Sequence, residues 1–227
     1  MVNYNEIHYL EEFLPFYKFL CPDDKKNLIS ISSVERYFKG DLISSKYSSN
    51  CTGIILILEG RVRSFIHSDF GKEITIFRLL SRDLCLLSAS CAFKNISYNL
   101  SLEAECDSLI LVINGEYFKN LCDSNFEVQK FLLNLTQDKL SETLCLIEDL
   151  VFLSFDKRLS KFLINESFLC NSKILTITHD SIANTLGSAR EVVSRMLKKF
   201  EKDGIVKVSR GKIELIDSYK LSKLANE

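Results

Sequence analysis

The sequence predicts an α+β chain of three successive pieces: a small antiparallel barrel or jelly roll, a long helix, and a winged helix-turn-helix. Three observations predict it. Short alternating strands between glycine turns fill residues 53–113, residues 126–152 run without Gly or Pro, and two helical patterns meet at Gly187 ahead of a short hairpin. With 227 residues, 46% of them hydrophobic, the chain can bury more than one core. The expected boundaries are 1–122 for the barrel, 123–152 for the helix and 153–227 for the last module.

Residues 5–32, broken at Pro15 and Pro22, read as short helices on the flank of the barrel. Gly53-Ile-Ile-Leu-Ile-Leu-Glu-Gly60 is a buried strand running into a glycine turn. Arg61-Val-Arg-Ser-Phe-Ile-His67 alternates as a half-buried strand does, and Asp69-Phe-Gly71 supplies the next turn. Glu73–Leu79 alternates again. Ser101–Glu105 and Ser108–Ile113 are two further strands, after a less regular stretch from Cys85 to Tyr98. Several short strands at this spacing favour a closed or double-layered antiparallel fold.

From about Asn125 the period changes. Leu133, Leu140, Leu144, Ile147 and Val151 fall at steps of 7, 4, 3 and 4, the seam of a coiled coil, while Leu132 and Leu135 lie off it. One stripe is expected to meet a second copy of the chain and the other its own barrel.

In the last module Thr178 is expected to cap the helix His179–Leu186, Gly187 to make the turn, and Ser188 to cap the next helix. That second helix would bury Val192, Val193, Met196, Leu197 and Phe200 and leave Arg190, Glu191, Ser194, Arg195, Lys198 and Lys199 outside. Ile205–Ile216 would fold back as a hairpin about Ser209 to Lys212, the wing. His179 reads as a surface or capping residue. Charge follows the same division, because residues 1–150 carry 15 Lys/Arg against 21 Asp/Glu and residues 151–227 carry 14 against 9. A basic module on an acidic remainder is the footprint of a nucleic-acid reader joined to something else.

The segment ITHDSIANTLGSAREVVSRMLKKFEKDGIVKVSRGKIEL resembles the C-terminal domain of the catabolite activator and fumarate-nitrate regulator (Crp/Fnr) family, most specifically around ANTLGSAREVVSRML. The segment ILEGRVRSFIHSDFGKEITIFRLL is similar to that family's cyclic-nucleotide-binding-like β-roll. The resemblance implies a DNA-binding transcription regulator that acts as a homodimer on a pseudo-palindromic site of TGTGA or TTGA type. Carried over by position, Arg190, Glu191 and Arg195 would read bases, with arginine bonding guanine O6/N7 and glutamate accepting from cytosine N4. Ser188 and Ser194 would assist, and Lys198, Lys199, Lys207, Arg210 and Lys212 would neighbour phosphates. Ala189 stands where many relatives have a serine that touches phosphate.

The effector is the open part of the expectation. Cyclic-nucleotide binders of the family carry a glycine-glutamate element for the ribose and a following arginine for the phosphate. Residues 81–98 contain no such pair, and Arg82 stands too early. The lining around Cys85, Ser88 and Cys91 suits an apolar or weakly polar effector, or simply a filled core, with no cofactor assigned. A cyclic-nucleotide response, or redox, metal or haem sensing through Cys51, Cys85, Cys91, Cys106, Cys122 or His67, is the alternative. The eight cysteines form no CxxC pair. Enzyme chemistry is not expected, since a cysteine nucleophile needs a base within reach and only three histidines exist (8, 67 and 179), the last of them in the final module, and no phosphate-binding glycine loop occurs. The start MVNYNEIHYLEEFL lacks the layout of a secretory signal, and no apolar run reaches the roughly 20 residues of a membrane span. A cytoplasmic protein is expected, with double-stranded promoter DNA, a second copy of itself and RNA polymerase as partners.

Overall fold

The computed structural model describes residues 7–44, 53–69, 71–85 and 100–226. Two compact units form, one from residues 1–66 with 76–143 and the other from 67–75 with 144–227. The first begins with α1 (Ile7–Phe13), a single 3-10 turn (Tyr17–Phe19) and α2 (Pro22–Ile31). Pro22, expected as a breaker, starts α2 instead, because a first-turn residue needs no backbone donor. Cys21 Sγ caps that helix by accepting from Asp24 N.

Among the described residues eight strands follow: β1 (Ser32–Tyr37), β2 (Leu42–Ser44), β3 (Ile54–Glu59), β4 (Arg61–His67), β5 (Glu73–Leu80), β6 (Leu84–Cys85), β7 (Leu100–Ala104) and β8 (Ser108–Ile113). They make two four-stranded sheets, β1-β8-β3-β6 and β2-β7-β4-β5. Ile55 and Ile57 of β3 pack with Val62, Leu79, Leu102 and Ile110 to form one core. The opposite residues of β3, Ile54, Leu56 and Leu58, pack with Leu10, Leu14, Leu28, Phe118 and Val128 in a second core. Helices therefore cover the far side of this sheet, which is why β3 is apolar at every position from Ile54 to Leu58.

β4 departs from the half-buried pattern expected of it, since Val62, Arg63, Ser64 and Phe65 are all buried. The alternation came from Arg63 standing among apolar residues, but its charge is satisfied internally. Its Nη2 lies 2.9 Å from Glu103 Oε2 on the paired β7 residue, and the guanidinium stands 4.0 Å from the Phe65 ring centroid. Alongside, Arg61 and Arg78 converge on Glu105 at 2.8 and 2.9 Å.

Two helices complete this part of the chain. α3 (Gly115–Ser124) is capped by Asn114 Oδ1, which accepts from Tyr117 N at 3.0 Å. α4 runs from Phe126 to Phe152, and Asp123 and Ser124, expected within it, belong to α3. Phe131, Leu132 and Leu135 of α4 pack on the helix-covered core, whereas Leu133, Leu140, Leu144, Ile147 and Val151 are between 49% and 65% exposed.

The second unit contains α5 (Phe155–Leu169), β9 (Ile174–Leu175), α6 (His179–Leu186), α7 (Arg190–Lys202), β10 (Val206–Ser209), β11 (Lys212–Leu215) and α8 (Ser218–Asn226). A three-stranded sheet β10-β11-β9 and the helices enclose Leu159, Leu163, Ile182, Val193, Leu197, Phe200, Ile213 and Leu221.

Candidate nucleic-acid interface

The site is built on α6 and α7. Thr178 Oγ1 accepts from Ser181 N at 3.1 Å and caps α6 as expected. Gly187 ends the helix in the left-handed region, at φ +63°. Ser188 N then bonds Ala183 O at 2.9 Å, the longer closure of a Schellman motif. This corrects one expectation: Ser188 does not cap α7, because its backbone is still finishing α6. The cap position falls one residue later, on Ala189, which has no side-chain acceptor to offer.

A Cβ added at Gly187 would stand 2.8 Å from Ile74 Cδ1, on a backbone that L side chains avoid. Gly187→Ala is therefore expected to destabilise this unit by about 1–2 kcal/mol, most of it from the left-handed backbone. Urea unfolding followed by circular dichroism checks it, and an unchanged midpoint would contradict the strain argument.

α7 is strongly two-sided. Val193, Leu197 and Phe200 are buried against the core, with Val192 and Met196 at the margin. Arg190, Glu191, Arg195, Lys198 and Lys199 are exposed and Ser194 is half-buried. Arg190, Glu191, Ser194, Arg195 and Lys198 line one surface concavity of about 430 Å³. Four of these five are charged, three of them cations, in a shallow hollow at the start and middle of one helix.

Two neighbours from α6 touch this row. Asp180 Oδ2 lies 3.5 Å from Arg190 Nη1, an exposed pair that the arginine can leave at little cost. His179 Nδ1 lies 2.8 Å from Ser194 Oγ. Neither contact is visible in sequence spacing, because both depend on how α6 crosses α7. The wing matches its expected turn: Ser209 pairs with Lys212 across Arg210 and Gly211, and Gly211 has φ +70°. Glu201 Oε1 accepts from Val208 N at 2.8 Å and ties the wing to the end of α7. Lys207, Arg210 and Lys212 are exposed on it.

Of the expected effector residues, Ser88 and Cys91 lie outside the described residues, as does Cys51. Cys85 is buried in β6 opposite Ile55. Arg82 is engaged elsewhere, with Nη2 2.7 Å from Glu12 Oε1 and its guanidinium 5.3 Å from the Phe13 ring centroid. Burial pushes the Cys122 thiol up to about 12, so it is a core residue and not a ready thiolate. Among the described residues no three His, Cys, Asp or Glu side chains gather where they could hold a metal ion. No described helix is long and apolar enough to cross a membrane.

Comparisons with known proteins agree with this architecture. The Crp-like helix-turn-helix domain matches residues 157–224. A crystal structure from Eubacterium rectale, assigned to the Crp/Fnr family of transcriptional regulators, is 37% identical, with a TM-score of 0.92 over 95% of this chain and 100% of that one. The cAMP-activated global transcriptional regulator Vfr of Pseudomonas aeruginosa is 27% identical over 179 residues, 73% of this chain and 81% of Vfr. FixK2 of Bradyrhizobium japonicum, at 20% identity, shares the fold, with a TM-score of 0.68 over 87% of this chain and 98% of FixK2.

Proposed function

Because the chain belongs to the Crp/Fnr family of transcription regulators, we propose that it works as a homodimer whose two α7 helices read a pseudo-palindromic promoter site. The observation that carries this reading is the row Arg190, Glu191, Ser194, Arg195 and Lys198 on the uncovered face of a helix buried on its other side. An arginine forks onto guanine O6/N7, a glutamate accepts from cytosine N4, and a lysine neutralises phosphate. Arg210 and Lys212 on the wing and Ser188 at the turn would add backbone contacts. The exposed stripe of α4 would pair the two copies, and RNA polymerase is the further partner such a regulator implies.

The test is fluorescence anisotropy on duplexes with half-site centres spaced at varied distances. Tightest binding is expected near 10–11 base pairs, about one helical turn. Affinity should fall steeply with salt, as phosphate contacts release counterions. Equal binding to random duplexes of the same length would overturn the reading.

The first unit is proposed to sense something other than a cyclic nucleotide, in contrast to the cAMP-activated Vfr. A cyclic phosphate brought inside loses water and needs donors in exchange, above all an arginine fork. Arg82 is the only arginine in residues 81–98, and its side chain stands exposed beside Glu12 and Phe13. Cyclic AMP and cyclic GMP are expected to bind no better than millimolar and to leave DNA affinity unchanged. Calorimetric titration decides it, since a micromolar constant with a matching gain in DNA binding would make this chain cyclic-nucleotide-responsive.

A further inference from the structure

We infer that His179 is a positioning residue for Ser194, and that the pair makes the middle of α7 select a base with an amino group on its major-groove edge, adenine or cytosine. The inference rests on the DNA-reading role of α7 and specifies one part of it. His179 is the first residue of α6, and its backbone is pinned there by the Thr178 cap. Ile182 and Ala183 of α6 are buried in the same core as Val193 and Leu197 of α7, so the crossing that brings the ring to Ser194 is set by packing. The result is a 2.8 Å contact between Nδ1 and Oγ at a half-buried serine.

A serine hydroxyl alone is a poor discriminator. It has one donor and two acceptor lone pairs, and rotates to suit either a donor or an acceptor on a base edge. Giving its hydrogen to a fixed acceptor removes that freedom. We assign the imidazole the Nε2–H tautomer, in which Nδ1 accepts the Ser194 hydrogen and only the oxygen lone pairs remain for DNA; in the Nδ1–H form the ring would donate and the serine hydrogen would stay free. Those lone pairs bond adenine N6 or cytosine N4 and are repelled by guanine O6 and thymine O4. Ser194 lies between the arginines at 190 and 195, so this selective contact falls inside the row that Arg190 and Arg195 frame. The arginines favour guanine; the serine, held this way, refuses it.

The experiment uses the full-length protein and a panel of duplexes carrying every single base change in one half-site, read by anisotropy. Ser194→Ala first identifies the position at which discrimination depends on this side chain. At that position the wild type is expected to favour adenine or cytosine on the contacted strand by about fivefold, the worth of one hydrogen bond. His179→Ala should bring that ratio to within about twofold while leaving the ratios at the arginine-read positions unchanged. His179→Asn, whose Oδ1 stands the same number of bonds from the backbone as Nδ1 and can accept the same hydrogen, should restore it. The double variant should match Ser194→Ala alone, because the two residues act as one unit.

An equal drop at every position after His179→Ala, or additive losses in the double variant, would reduce His179 to a structural role and overturn the inference. A wild-type preference for guanine or thymine at that position would overturn it as well, by showing that Ser194 donates. These results all differ from a failure of the DNA-reading role itself, in which the wild type would prefer no duplex over random sequence and both conclusions would fall.

Discussion

On the proposed pairing of two copies through α4, a glutamate at Leu144 or at Leu140 is expected to leave the protein monomeric. Both leucines belong to the exposed stripe of α4, whose neighbouring stripe, Leu132 and Leu135, is already packed on its own unit. A fully buried leucine contributes about 1.5–3 kcal/mol, and a carboxylate facing its symmetry mate in the same seam has no partner to replace lost water. The consequence for DNA is larger than the consequence for folding. A single α7 supplies one half-site of contacts, so affinity for the full site should fall by on the order of 10³, toward the non-specific level. Sedimentation equilibrium and a DNA titration on both variants measure this. Two intact dimers would remove α4 from the interface, and intact DNA binding by a monomer would remove the need for pairing.

Arg195→Ala is expected to weaken the specific site by about 1–3 kcal/mol and to relax preference at one base pair. Arg195 is exposed on the same hollow as Arg190, where its planar fork can meet a guanine edge. Lys198→Ala makes the contrast, because losing a phosphate contact should weaken specific and random duplexes alike and lower the salt slope by about one. The same uniform loss in Arg195→Ala would reassign that arginine to the backbone.

The helix-turn-helix was legible in the sequence because its signals are local. Thr178 before an apolar pattern, Gly187 between two patterns and the spacing of Val193, Leu197 and Phe200 each act within a few residues. Ser188 looks like a cap in sequence because serine is the commoner cap, and nothing local shows that its N–H is committed to Ala183 O. The His179–Ser194 contact spans 15 residues and a helix crossing, so no periodicity announces it. Burial of Arg63 was equally hidden, since Glu103 lies 40 residues away and only sheet pairing joins them. β6 and β9 have two residues each, too few for alternation to register. β1, with the sequence SSVERY, carries too little apolar character to read as a strand until β8 is beside it.

That position of β8 has a consequence for the order in which a growing chain can acquire structure. β8 lies between β1 and β3, pairing Ser32 with Ile113 on one side and Ile54 with Ile113 on the other. Neither of the earlier strands can complete its ladder until residues 108–113 have left the ribosome, and each pairing closes a long loop whose entropy is lost before any contact compensates. During that interval the apolar run Ile54–Leu58 has, among the described residues, only the two of β6 to pair with, and its other edge stays open. The α6–α7 pair, whose contacts are close in sequence, carries no such delay.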